Sequence, residues 1–125
     1  SKGGVIVSPP TLGKTISGQV ELSAELKSKV KPGDMLMVIA RQPGERMPVA
    51  VLKVPAQQFP MSFVLDDSLA MNPNKRISQL SEVTIEVRIS KTGMAKAEAG
   101  DLISAVQTVK LGSAKVSILV NQVYP

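Results

Sequence analysis

The 125-residue chain contains no cysteine and no histidine. That removes thiol nucleophiles, disulfides, imidazole acid–base work and the usual zinc and haem ligands. Few groups are left for chemistry. Asp66 and Asp67 are adjacent carboxylates that could work as an acid–base pair or as half of a calcium site. Calcium takes about six to eight oxygens, and no loop here is dense enough in acids. Capping of a turn explains the pair better. Ser68 could be a nucleophile with Lys75 or Lys91 as base. No nucleophile elbow or Ser-x-x-Lys helix surrounds it, so capping of a helical turn is again the preferred role. The six methionines could ligate copper or haem iron. Without His or Cys to complete a set, they read as core filler and as adaptable contact surface. Arg41 and Arg88 end or interrupt apolar runs. Each is expected to pair with Asp66 or Asp67 across the end of the fold; the sharper alternative places both on a docking surface. No catalytic residue, metal or cofactor is expected, and the chain is not expected to be an enzyme.

The elements that position these residues are short strands. Apolar residues make up 43% of the chain, with two Phe, one Tyr and no Trp. The β-branched content suits pleated, half-buried surfaces, and nine Pro and nine Gly supply the reversals. Residues 1–12 read as a flexible lead-in, with Val5-Ile6-Val7 as a short edge strand stopped by Pro9-Pro10. Strand signals follow at 14–22, 35–41, 49–54, 59–65, 82–90, 105–111 and 115–123, with a short one near 94–97. Ile16, Gly18, Val20 and Leu22 share an inward face, where Gly18 admits another chain segment closely. Phe63, Leu65, Val83, Ile85, Val87 and Ile89 complete the expected core, together with Ile16 and Val20. Met35 to Arg41 is apolar on both faces, so it needs cover on both. A helical turn is expected after Ser23, and a long loop over 66–81. The whole predicts an all-β fold: an antiparallel β-sandwich of about seven strands over residues 13–125, immunoglobulin-like or transthyretin-like, with an up-and-down barrel as the alternative.

Charge bounds the partners. The net charge is +5, and the basic residues are spread along the chain. Nucleic-acid binders cluster basic residues, often with stacking aromatics, so nucleic acid is not an expected partner. The richest local cluster is Lys27-Ser28-Lys29-Val30-Lys31, read as a solvated turn with weak attraction to acidic partners or anionic lipid. No apolar run approaches the roughly 20 residues that cross a bilayer, so direct membrane insertion is not expected.

An ordered set of short blocks resembles the C-terminal periplasmic domain of the cytochrome c biogenesis family CcmI, also called CycH. The blocks are Ile16-Ser17-Gly18-Gln19-Val20-Glu21-Leu22, Pro32-Gly33-Asp34 with Leu36 and Ala40-Arg41, and Met47-Pro48-Val49-Ala50-Val51. Phe63-Val64-Leu65-Asp66-Asp67-Ser68-Leu69-Ala70-Met71 follows, the most specific of them, with Leu69 where the family has Met. Val87-Arg88-Ile89-Ser90-Lys91-Thr92-Gly93 and Gly100-Asp101-Leu102 close the series. The resemblance implies a non-catalytic interaction domain, cut from a longer protein anchored in the inner membrane and working in the periplasm. It would help hold or present apocytochrome c to the haem lyase, beside a tetratricopeptide-repeat domain of the same protein. Met47, Asp66, Asp67, Met71 and Arg88 are the candidate partner-binding residues. A weaker similarity to the YbaY and YscW lipoproteins rests on Ile16-Ser17-Gly18, a Pro-Gly turn, Phe59-Pro60 and Arg88-Ile89-Ser90. It implies a pilotin-like periplasmic chaperone module for an outer-membrane component, although no lipid-bearing Cys is present.

Overall fold

The computed structural model describes residues 14–125. The lead-in at 1–12 and the strand expected at Val5-Ile6-Val7 lie outside the described residues. Among the described residues eight strands form: β1 (Ile16–Leu22), β2 (Met35–Arg41), β3 (Pro48–Pro55), β4 (Met61–Leu65), β5 (Glu82–Ser90), β6 (Leu102–Ser104), β7 (Gln107–Lys110) and β8 (Val116–Val123). Among the described residues, helical structure is limited to three short 3-10 segments, Ala24–Lys29, Asp67–Leu69 and Ile77–Gln79. Among the described residues no helix is long and apolar enough to cross a membrane.

The strands run in the order β3-β2-β5-β6-β8-β1-β4, and β7 pairs with β5 beside β6. The sheet folds over so that its ends, β3 and β4, come alongside each other. β3, β2, β5 and β7 thus make one wall and β8, β1 and β4 the other, with β6 passing between them. The alternation dictates what lies between the walls. Ile16, Val20, Phe63, Leu65, Val83, Ile85, Val87 and Ile89 are all buried, as the inward periodicity requires. Gly18 lies between Phe63 and Val116 in register, at a close approach of backbone to backbone.

Four details depart from the sequence expectation. β1 and β8 pair parallel within an otherwise antiparallel sheet, because the chain crosses from one wall to the other after β7. The strand expected near Met94–Ala97 does not form: Met94, Ala95 and Lys96 give their carbonyls to the Arg88 guanidinium, not to a hairpin partner. The single strand expected over 105–111 is split and begins earlier, as β6 and β7. At the expected cap, the Ser23 hydroxyl donates to Glu25 and makes no backbone cap bond; that hydrogen bond holds the Glu25 carboxyl below its usual pKa range.

Ser104 bridges the split. β6 pairs with Arg88 and Ile89, β7 with Glu82 to Ile85, and the ladder is interrupted between them. The buried Ser104 hydroxyl accepts from the Val87 N–H at 2.9 Å and donates to the Ala105 carbonyl at 2.9 Å. Removing it strands a buried amide, at a cost of about 1–3 kcal/mol. Ser104→Ala is therefore expected to lower the urea midpoint without changing the slope of the transition. An unchanged midpoint would mean that the Val87 amide finds another acceptor.

Candidate functional site

Sequence reasoning proposes five residues for a contact surface, and the fold brings two of them together. β3 is an edge strand bounded by Pro48 and Pro55. Such a strand invites pairing unless it is short or covered. Part of the cover is the 66–81 loop, which crosses it through an Ala50–Ala70 bridge and a Met71 N–H donated to the Val49 carbonyl at 3.3 Å. That crossing sets Met71 beside Met47, which sits just before β3. Both are strongly exposed, at 75% for Met47 and 58% for Met71. They line a groove of about 440 Å³ whose apolar floor includes Val49 and Pro48 and whose polar rim includes Gln42 and Lys75.

The loop under Met71 is held by its own polar groups. Asp66 accepts from the Ser68 N–H at 2.9 Å and from the Ser68 hydroxyl. The cap is therefore Asp66, with Ser68 as its donor. Asp67 accepts from the Ser78 N–H at 3.0 Å and from the Ser78 hydroxyl at 2.6 Å, tying the two 3-10 turns together. Asn72 accepts from Asn74 N–H at 2.9 Å and closes a tight turn beside Met71. Ile77 is fully buried and anchors the loop in the core. The two aspartates thus act on the loop itself, as turn capping predicts, and present Met71 to solvent indirectly.

The arginines are placed differently from the expectation. Neither pairs with Asp66 or Asp67. Arg41 pairs with Glu86 across β2 and β5, and Asp67 has Arg76 at 3.9 Å. Arg88 is only 5% exposed and pairs with Asp101 at 3.0 Å, itself 3% exposed. Its place on a docking surface is corrected: it faces the outer side of β5, next to Met37 in register, and holds the 94–96 segment over that face. A guanidinium offers five donors in a planar fork, which suits several carbonyls and a carboxylate at once.

Residues 16–121 match the family model of the cytochrome c-type biogenesis protein H Ig-like domain. The chain belongs to this family. It is 33% identical over 89 residues to the cytochrome c-type biogenesis protein CycH of Pseudomonas aeruginosa, a match covering 70% of this chain and 22% of that protein. It is 34% identical over 110 residues to an uncharacterized protein of Aquifex aeolicus, covering 87% of this chain and 71% of the other. No solved structure gives a significant match.

Membership bears out the resemblance read from the ordered blocks and favours the immunoglobulin-like description of the sandwich. Within this CycH Ig-like domain, sequence reasoning missed Asp101 as the partner of Arg88. Asp101 follows Gly100 and looks like an ordinary turn residue. The signal was indirect: β2 is apolar on its outer face and needs a cover, and Arg88 is the polar group on the neighbouring strand able to hold one. Among the described residues no three His, Cys, Asp or Glu side chains gather as a metal cluster would require.

Proposed function

We propose that this CycH Ig-like domain is a non-catalytic protein-interaction module of a periplasmic cytochrome c maturation factor, and that it helps hold or present apocytochrome c to the haem lyase. The observation that carries this reading is the exposed Met47–Met71 pair over the β3 groove. Methionine is flexible and polarizable, so a methionine-lined groove can repack around an apolar segment of an incompletely folded client. The loop that presents Met71 is pre-ordered by Asp66, Asp67 and Ile77, which lowers the ordering cost of docking. Family membership supplies the cytochrome c context.

Both methionines are exposed, so charged substitutions there should change fold stability by no more than about 0.5 kcal/mol. In the full-length protein, Met47→Asp combined with Met71→Asp is expected to reduce apocytochrome c capture in a pull-down roughly tenfold or more, the loss typical of a hot-spot pair. Deleting residues 16–123 should do the same. Capture and cytochrome c maturation that persist unchanged in both variants would remove the role assigned to this groove.

A further inference from the structure

The opposite end of the domain holds a second groove, of about 590 Å³. It lies between the 3-10 segment Ala24–Lys29, the Pro32-Gly33 turn and the connection leaving β3. Its floor is apolar, with Leu22 and Ala56 buried and Val30 and Phe59 half-buried. The one acid in its lining, Asp34, is buried and already engaged: its carboxylate accepts from Lys91 Nζ at 2.7 Å and from the Lys31 N–H at 2.9 Å. Lys27 and Lys31 stand exposed at the rim. Among the described residues neither takes part in an ion pair. Lys91, its charge balanced by Asp34, also donates to the Lys29 carbonyl at 2.9 Å and ties the 3-10 segment to the end of β5.

We propose that this groove docks a partner protein segment in which acidic residues flank apolar ones. The apolar residues would bury on the Leu22–Phe59 floor while the carboxylates meet the rim ammonium groups, a charge-assisted contact that also steers encounter. A flat lipid surface would engage the lysines but leave the recessed floor unfilled, so the shape favours a polypeptide over a membrane. The site goes beyond the Met47–Met71 groove, because the seven-residue β2 separates the two ends by roughly 20 Å.

The test uses the intact chain and fluorescence anisotropy. One probe is a fluorescein-labelled peptide with two glutamates bracketing a pair of leucines; the second carries glutamines in their place; the third is a phosphatidylglycerol vesicle. The glutamate peptide is expected to bind, to weaken with added salt, and to outbind the glutamine peptide roughly tenfold or more, given that ionised hydrogen bonds are the stronger kind. Lys27→Glu with Lys31→Glu should abolish that preference, while Lys110→Glu with Lys115→Glu, on β7 and beside β8, should leave it intact. Thermal melts confirm that both variants are folded. Absence of binding by the glutamate peptide, equal binding of the two peptides, indifference to the Lys27/Lys31 reversal, or vesicle binding without peptide binding would each overturn the proposal. The Met47→Asp and Met71→Asp variant should bind the glutamate peptide normally, so the two grooves stand or fall separately.

Discussion

Arg88→Met is expected to destabilise the domain by about 3–5 kcal/mol, because removing one partner of a buried ion pair leaves the other charge uncompensated. For a chain of this size that corresponds to a fall of roughly 10–20 °C in Tm. The stranded group is Asp101, which keeps only the Glu98 N–H at 2.9 Å as a donor to its carboxylate oxygen. Three carbonyls, of Met94, Ala95 and Lys96, lose their donors at the same time. The loss should therefore be local as well as global: the 91–100 segment should open and become cleavable by trypsin at Lys96 well below the melting temperature. Arg88→Lys tests the geometry separately. It keeps the charge but reaches fewer acceptors than the planar fork, so it should recover the pairing with Asp101 and only part of the loop's protection. Arg88→Met with Asp101→Leu should regain much of the global stability, since an apolar pair can replace a buried ion pair at little net cost, yet leave the loop open. An Arg88→Met protein that melts within a degree or two of wild type, with its loop still protected, would contradict this account of how the segment is held.

The same residue shows what sequence could and could not reveal. That Met35–Arg41 is covered on both faces was legible, because Leu36, Val38 and Ala40 on one side and Met37 and Ile39 on the other leave no polar face to turn to water. Which segment covers the outer face was not legible, because the cover is irregular chain whose backbone is satisfied by one guanidinium and so has no periodicity to read. The pairing expected between the arginines and Asp66 or Asp67 across the end of the fold fails because those carboxylates are taken by Ser68 and Ser78. The parallel pairing of β1 with β8 was hidden for a different reason. Ile118 and Val120 point inward whichever way the strand runs, so burial periodicity carries no direction. Met47 and Met71 are far apart in sequence, and only the bridge between Ala50 and Ala70 places them over one groove. Local patterning at 27–31 shows only a solvated turn, because the apolar floor beneath the lysines belongs to three separated segments.

Gly18→Ala should be the most damaging methyl group that can be added to the sheet. A Cβ built at Gly18 would stand 2.0 Å from the Val116 carbonyl oxygen, 2.7 Å from its carbon and 2.8 Å from the Val116 Cβ. The first two contacts are with backbone, so no rotamer change relieves them. β1 and β8 must move apart, at the register where Gly18 lies opposite Val116 and just ahead of the Val20–Ile118 pair. Overpacking a core typically costs about 1–3 kcal/mol, and a clash that parts two strands belongs at or above the top of that range. Its effect should spread, because β8 links β1 and β4 to the rest of the sheet through β6. Two comparisons isolate the cause. Val116→Ala should fail to rescue Gly18→Ala, since trimming the side chain leaves the carbonyl in place. Gly33, with φ near +93° and nothing within 4 Å of an added Cβ, should behave in the opposite way. Gly33→Ala is disfavoured by about 1–2 kcal/mol through its left-handed backbone alone, and Gly33→Asn should recover part of that because asparagine tolerates the conformation. At Gly18, Asn should be worse than Ala, because there the obstacle is space and not φ. Urea denaturation of these five variants decides the matter: a Gly18→Ala midpoint close to wild type, or one restored by Val116→Ala, would show that the walls of the sandwich yield more easily than the β1–β8 contact implies.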